Sequence, residues 1–269
     1  MTNEQPALTP AKQTDKPGFP FSPLASIAIV VGVYFGAMIS SQLVISLYPM
    51  LAGWSTSRTD DWIAHSAAVQ FLYVLVAEAL TVGLLYLFMR RRKVSASSIG
   101  LLRPRLRNFG ITLLAYPPYF VLNAVAALTA QALLHVDTSQ QQQTGFESAH
   151  STTDLILTFV SLVILPPIVE EIVVRGFLFS GLKQGMSVVK AAILTSGIFA
   201  LAHLQFGSGA PLLWVAAIDT FILSLVLCFL RQKTGSLWAG IGLHTLKNGL
   251  AFAVIFILPR LHFSHFSLF

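Results

Sequence analysis

A stretch of the sequence that would otherwise suit the interior of a membrane carries three ionisable residues. Residues 163–182 read VILPPIVEEIVVRGFLFSGL and contain Glu170, Glu171 and Arg175, just after a pair of prolines. Glu171 and Arg175 are four residues apart, so they share a helix face and can pair. Glu170 is rotated by about 100° from Glu171 and is left without a local counter-ion. An ionisable residue inside a membrane is costly and by default marks a functional site.

Two later apolar segments carry polar residues that could act together with Glu170. His203 ends the segment FALAH, and HTLKN contains His244 and Asn248. Those two are four residues apart, so that both can address one point. Phe199 has the same spacing from His203 and could hold the imidazole in one rotamer. Counted from the cytoplasmic helix ends at about 1.5 Å per residue, the polar groups lie at overlapping depths of roughly 10 to 22 Å.

Such a cluster could carry out hydrolysis. A carboxylate and an imidazole around one water can deprotonate it, while a second imidazole and a carboxamide can donate hydrogen bonds to the oxyanion that forms. Alternatively, Glu170, His203 and His244 could ligate zinc and leave an open position for water. The residues do not decide between these arrangements, so the predicted cofactor is either none or a divalent metal such as zinc.

The composition indicates that these residues belong to a polytopic membrane protein. Of the 269 residues, 55% are hydrophobic and only 10% are charged, against roughly 25% charged residues in a typical soluble domain. The sequence predicts an all-α fold with about seven transmembrane helices (six to eight), because a helix satisfies its own backbone groups in lipid. The predicted spans are 24–50, 65–89, 109–134, 152–182, 188–206, 212–231 and 237–258. Pro166 and Pro167 are expected to kink the fourth span or to divide it.

The flanking segments complete the predicted organisation. Residues 1–23 are expected to form a polar disordered tail, and residues 24–151 the N-terminal transmembrane helices and their loops. Residues 152–258 contain all the motifs and form the predicted catalytic core, and residues 259–269 are a C-terminal tail.

The basic residues predict the orientation. Between the second and third spans lie Arg90, Arg91, Arg92, Lys93, Arg103, Arg105 and Arg107. This cluster places its loop and the N-terminus in the cytoplasm of a multi-pass protein of the cell membrane. Because the charge lies between apolar segments, it indicates membrane lipid as a partner and argues against nucleic acid.

Two other polar groups in the spans have a structural interpretation. Lys247 adjoins Asn248 but faces another way, and we expect it to pair with Asp219 or Glu78 as a structural bridge. The single cysteine, Cys228, lies in an apolar segment and is interpreted as a buried, inert thiol.

The three motifs together resemble the CPBP family of intramembrane proteases, also called the Abi or CAAX-protease family. EEIVVRGFL is similar to its E-E-x-x-x-R motif, FALAH to F-x-x-x-H and HTLKN to H-x-x-x-N, in the same order on successive apolar helices. The resemblance covers about residues 152–258. The H-E-x-x-H and G-x-S-x-G signatures of other hydrolases are missing from the sequence.

The resemblance implies a role for each motif residue. Glu170 with His203 would activate the water, and His244 with Asn248 would form the oxyanion hole. The implied supporting residues are Glu171, Arg175 and Phe199. The family is often called a metalloprotease family, but a metal-free glutamate mechanism is also argued for it, and asparagine, as a poor zinc ligand and a good donor, favours the latter.

The predicted function is an intramembrane endopeptidase that acts on a membrane-associated protein, for which a prenylated CAAX-type protein is one possibility. Type II CAAX prenyl endopeptidases are among the members of the family. The alternatives are a non-catalytic membrane scaffold or immunity protein of the same fold, or a transporter. The sequence shows neither the repeated halves nor the paired broken helices of many transporters.

Overall fold

The long apolar stretches form helices, as expected of a chain that must pair its backbone groups in lipid. The computed structural model describes residues 19–138, 140, 142–204 and 212–261, and within them no strand is present. The α-helices are α1 (Pro23–Leu51), α2 (Thr56–His65), α3 (Ala67–Arg91), α4 (Leu106–Leu134), α5 (Thr152–Phe159), α6 (Leu165–Glu170), α7 (Phe179–Leu182), α8 (Val188–Leu201), α9 (Trp214–Thr234) and α10 (Trp238–Phe252).

Six helical stretches of the described residues are long and apolar enough to cross a membrane, which confirms an all-α polytopic membrane protein. They are Pro23–Leu51, Ala67–Arg91, Leu106–Leu134, Thr152–Leu182, Trp214–Thr234 and Trp238–Arg260. The predicted fifth span, 188–206, is different. Its helix α8 has 14 residues and ends at Leu201, which is shorter than the roughly 20 residues of a full crossing.

The fourth span, Thr152–Leu182, is continuous but not uniformly α-helical. Two π-helical turns, Val160–Ile164 and Glu171–Leu178, lie on either side of α6. Proline has no backbone N–H to donate, and two prolines at the start of α6 explain why the helix widens just before it. The predicted disturbance is therefore present, although the span is not divided. Wide turns of this kind are frequent at functional sites, and here the second one begins at Glu171.

The main core lies around the second π-helical turn. Phe177, Leu178 and Phe179 are fully buried there. Phe19 and Phe21 pack onto Phe177 with ring centroids 5.4 and 4.9 Å away. The end of the predicted N-terminal tail is therefore packed against the protein, while residues 1–18 lie outside the described residues.

Helices α3 and α4 contribute less to the core than the other spans. Only 11% of the most apolar stretch of α3, and the same share of α4, is buried within the protein, against 44% for α9. The remaining apolar side chains face outward, as expected where lipid is the solvent. The region between the first two predicted spans holds a helix that was not predicted, α2, whose N-terminus is capped by Ser55.

Candidate active site

Glu171 and Arg175 form the ion pair that their spacing predicts. Arg175 Nη1 donates a hydrogen bond to Glu171 Oε1 at 2.9 Å, and the two side chains are 0% and 1% exposed. The Arg175 guanidinium also lies over the ring of Phe199, 4.4 Å from its centroid, in a cation–π contact. The charge is thus held from one side by a carboxylate and from the other by an aromatic face.

Glu170 has different surroundings from its neighbour in the chain. Its side chain is 27% exposed, and its Oε2 lies 3.7 Å from His244 Nε2. That separation is too long for a direct hydrogen bond, but a water molecule beside both atoms could bridge them. Glu170 is therefore the more accessible of the two adjacent carboxylates.

His244 lies between the two carboxylates. Its Nε2 faces Glu170, and its Nδ1 is 3.4 Å from Glu171 Oε1. The ring itself is buried. Since each ring nitrogen faces a different carboxylate, the Glu171–Arg175 pair and Glu170 together define the orientation of the imidazole.

His203 is oriented by Phe199, as its spacing predicts. Its Nδ1 lies 2.8 Å from the Phe199 carbonyl oxygen, and the two rings meet edge to face at 4.7 Å. A carbonyl only accepts hydrogen bonds, so Nδ1 carries the hydrogen and Nε2 of the neutral ring is the proton-accepting nitrogen. The Phe199 ring also meets His244 edge to face at 6.1 Å. His203 is thus linked to the cluster through Phe199.

Phe199 has a larger part in the site than the sequence indicated. One face of its ring is covered by Arg175, and it contacts both candidate histidines. The spacing of Phe199 from His203 predicted only the contact between those two residues. The others depend on how α8 packs against the fourth span.

Among the described residues, Asn248 and His244 have no common hydrogen-bond partner, although their spacing would allow both to address one point. Its Nδ2 donates a hydrogen bond to the Leu162 carbonyl at 2.9 Å, in the first π-helical turn of the fourth span. A carboxamide has two N–H groups, so one is available for a further acceptor.

Close packing of α10 against the fourth span was not predicted. A β-carbon on Gly240 would lie 2.9 Å from Glu171 Oε2, which is closer than such contacts allow. A glycine at this position therefore lets α10 approach the carboxylate. The G-x-G spacing of Gly240 and Gly242 was the available signal, but it is weak by itself.

A second polar network lies in the membrane-spanning helices beside these residues. Lys247 Nζ is 2.9 Å from Asp219 Oδ2, which confirms the pairing with Asp219 and makes Glu78 the wrong alternative. Tyr119 on α4 donates a hydrogen bond of 2.5 Å to Asp219 Oδ1. Nothing in the sequence indicated Tyr119. The predicted buried thiol, Cys228, is confirmed as buried.

The side chains do not converge on a metal site. Among the described residues, no group of three or more His, Cys, Asp or Glu side chains is arranged to hold a metal ion. Glu170, His203 and His244 are thus not arranged as the alternative zinc site requires.

Comparison with known proteins supports the resemblance that the motifs predict. Residues 152–250 match the family model of Rce1-like type II CAAX prenyl endopeptidases. This match contains all three motifs and supports the predicted resemblance to the CPBP family, a family of intramembrane proteases. The chain is also 25% identical over 209 residues to an uncharacterized 24.3 kDa protein of Escherichia coli, covering 72% of this chain and 88% of that protein. No solved structure matches the chain significantly.

Proposed function

We propose that this protein is an intramembrane endopeptidase in which Glu170 activates a water molecule to hydrolyse a peptide bond of a membrane-associated protein. The observation that carries the proposal is the contrast between two adjacent carboxylates. Glu171 is sealed against Arg175, while Glu170 is 27% exposed and 3.7 Å from His244. The Glu171 carboxylate therefore supports the structure of the site, whereas the Glu170 carboxylate is available to accept a proton.

In the proposed reaction, Glu170 accepts a proton from the water as the water attacks the substrate carbonyl, and it returns a proton to the leaving amine. His203 presents Nε2 as a second acceptor that orients the water. The oxyanion is stabilised by hydrogen bonds from His244 and from the second N–H of Asn248.

The surrounding residues hold these groups in place. The Arg175–Glu171 pair is rigid because it is fully buried and covered by Phe199. Through Glu171 it orients His244, and Phe199 orients His203. A site of this kind has its reacting groups preorganised, which lowers the cost of reaching the transition state.

The family match favours a CAAX-type protein with a lipid-modified C-terminus as the substrate. A substrate anchored in the bilayer by its lipid would reach carboxylates inside the membrane-spanning helices without unfolding a helix of its own. The proposal therefore places the scissile bond close to the lipid anchor.

The test compares new protein termini by mass spectrometry in cells that carry the wild type or Glu170→Gln at equal abundance. We expect a set of termini to disappear with Glu170→Gln, and with His203→Ala, while both variants still insert into the membrane. Glu147→Gln, a change to an exposed carboxyl between α4 and α5, is the matched control and should leave the termini unchanged. Wild-type termini in both site variants would refute the mechanism. If cells with the wild-type protein produce no such new termini, the result would favour a scaffold or transporter.

A further inference from the structure

The Leu162 carbonyl, which accepts the hydrogen bond from Asn248, has no donor in its own helix in either register. In a regular α-helix its donor would be the N–H of residue 166, and in a π-helical turn it would be that of residue 167. Both positions are proline, which has no N–H. The register just before the prolines is π-helical, since the Leu165 N–H donates to the Val160 carbonyl.

A carbonyl without a donor inside a membrane-spanning helix is costly, because lipid offers no hydrogen bond in place of the missing one. The carboxamide of Asn248 on α10 fills this role at 2.9 Å. The next residue, Gly249, lies where a β-carbon would be in ordinary contact with Val163 Cγ1, 3.6 Å away. Helix α10 therefore runs close along the widened turn at this point.

The chemistry of the acceptor also fixes which end of the carboxamide faces Leu162. Nitrogen and oxygen of an asparagine side chain are usually assigned from their partners. A carbonyl accepts only, so Nδ2 and not Oδ1 has to face it. One N–H of Asn248 is thus used on the fourth span, and the other keeps a defined direction.

We propose that Pro166 and Pro167 are positioning residues for Asn248. Because neither proline has an N–H, the Leu162 carbonyl accepts its hydrogen bond from the Asn248 carboxamide and thereby anchors it. The carboxamide then has a single, oriented N–H left for the oxyanion. The anchoring stands on the contacts alone, and its effect on catalysis rests on the proposed function. The proline pair thus couples the motif at Glu170 to the motif at His244 and Asn248.

The anchoring is tested by a double-mutant cycle on the midpoint of thermal unfolding, Tm, of the purified protein in detergent. Asn248→Leu should lower the Tm clearly in the wild type, because it leaves the Leu162 carbonyl without a donor. In Pro166→Ala/Pro167→Ala, a backbone N–H is restored, and Asn248→Leu should then lower the Tm by less than half as much. The single variants Pro166→Ala and Pro167→Ala supply the α-register and π-register donors separately, should the double variant fold poorly.

The matched control is the other proline pair within a span. Pro117→Ala/Pro118→Ala changes two prolines inside α4, and Asn248→Leu should keep its full effect on Tm in that background. An equal loss of Tm in all backgrounds would overturn the anchoring.

The catalytic part is tested on the substrate that the comparison of termini identifies. We expect Pro166→Ala/Pro167→Ala to lower kcat about tenfold with KM unchanged, less than the roughly hundredfold or greater loss when an oxyanion donor is removed, because the Asn248 donor is misplaced and not lost. The α4 variant should match the wild type. Normal kcat together with a clear Tm coupling would overturn the positioning role while the anchoring stands. Coupling in a protein that cleaves nothing would overturn the proposed function but not the anchoring.

Discussion

Among the described residues, two ion pairs of an arginine or lysine with a carboxylate lie within the membrane-spanning helices, and they differ in what surrounds them. Arg175–Glu171 and Lys247–Asp219 have the same nitrogen–oxygen distance, 2.9 Å. The side chains of the first are 0% and 1% exposed, and those of the second are 25% and 20% exposed. Because the attraction between charges and the cost of leaving one unpaired both rise as the medium becomes less polar, equal distances here do not mean equal energies.

The pairs also differ in what they connect. Glu171 and Arg175 lie one turn apart in the same helical span, so their bond shapes the local surface against which His244 and Phe199 pack. Asp219 and Lys247 join α9 to α10, and Tyr119 adds α4. The first pair therefore orients side chains, whereas the second fixes the positions of helices.

The largest effect is expected from breaking the sealed pair. Arg175→Met leaves Glu171 as a buried, unpaired charge and should lower the free energy of unfolding by about 3–5 kcal/mol, the usual cost of removing one partner of a buried pair. Chemical unfolding in mixed micelles measures this change in the free energy of unfolding. The control is Glu171→Met/Arg175→Met, which removes both charges and should regain most of that stability. Equal losses in the single and double variants would contradict the account of the sealed pair.

A smaller effect is expected from the second pair. Lys247→Met and Asp219→Asn should each destabilise the protein, with a coupling free energy of about 1–2 kcal/mol between them, because the partly exposed charges are less strongly desolvated. A double-mutant cycle on unfolding gives the coupling. Additive effects of the two substitutions would show that the pair contributes no bridge between α9 and α10.

The smallest effect is expected from Tyr119→Phe. It removes the hydrogen bond to Asp219 but keeps the ring, and should cost about 0.6 kcal/mol, the average for hydrogen bonds between membrane helices. Tyr116→Phe, one helical turn away on α4, serves as the control. A loss as large as that of Asp219→Asn would mean that the tyrosine, and not the lysine, is the main partner of that carboxylate.

Local spacing predicted those features that depend on one helix. The Glu171–Arg175 pair follows from an i, i+4 relation, and the contact of Phe199 with His203 follows from another. The apolar stretches likewise predicted the membrane helices. Where the helix ends inside an apolar stretch, as α8 does at Leu201, hydropathy gives no signal, and the predicted span was too long.

Contacts between helices could be predicted only as alternatives or not at all. For Lys247 the sequence offered Asp219 and Glu78, and the packing of α9 beside α10 decides for Asp219. The approach of α10 at Gly240 and the hydrogen bond from Tyr119 depend on helix packing that no spacing encodes. The catalytic roles of Glu170 and its neighbours stay predictions, because side-chain positions show which groups meet and not which of them react.

The shortness of α8 has a consequence for the lipid around it. Its 14 residues rise by about 21 Å, whereas the hydrocarbon core of a bilayer is about 30 Å thick. One way in which hydrophobic mismatch of this kind is relieved is thinning of the adjacent bilayer, which draws headgroups and their hydration inward. His203 follows the end of α8 by two residues, so thinning at this end would bring water close to its side chain. In the proposed mechanism water is a reactant inside the membrane, and a thinner bilayer beside α8 would shorten its way to the site.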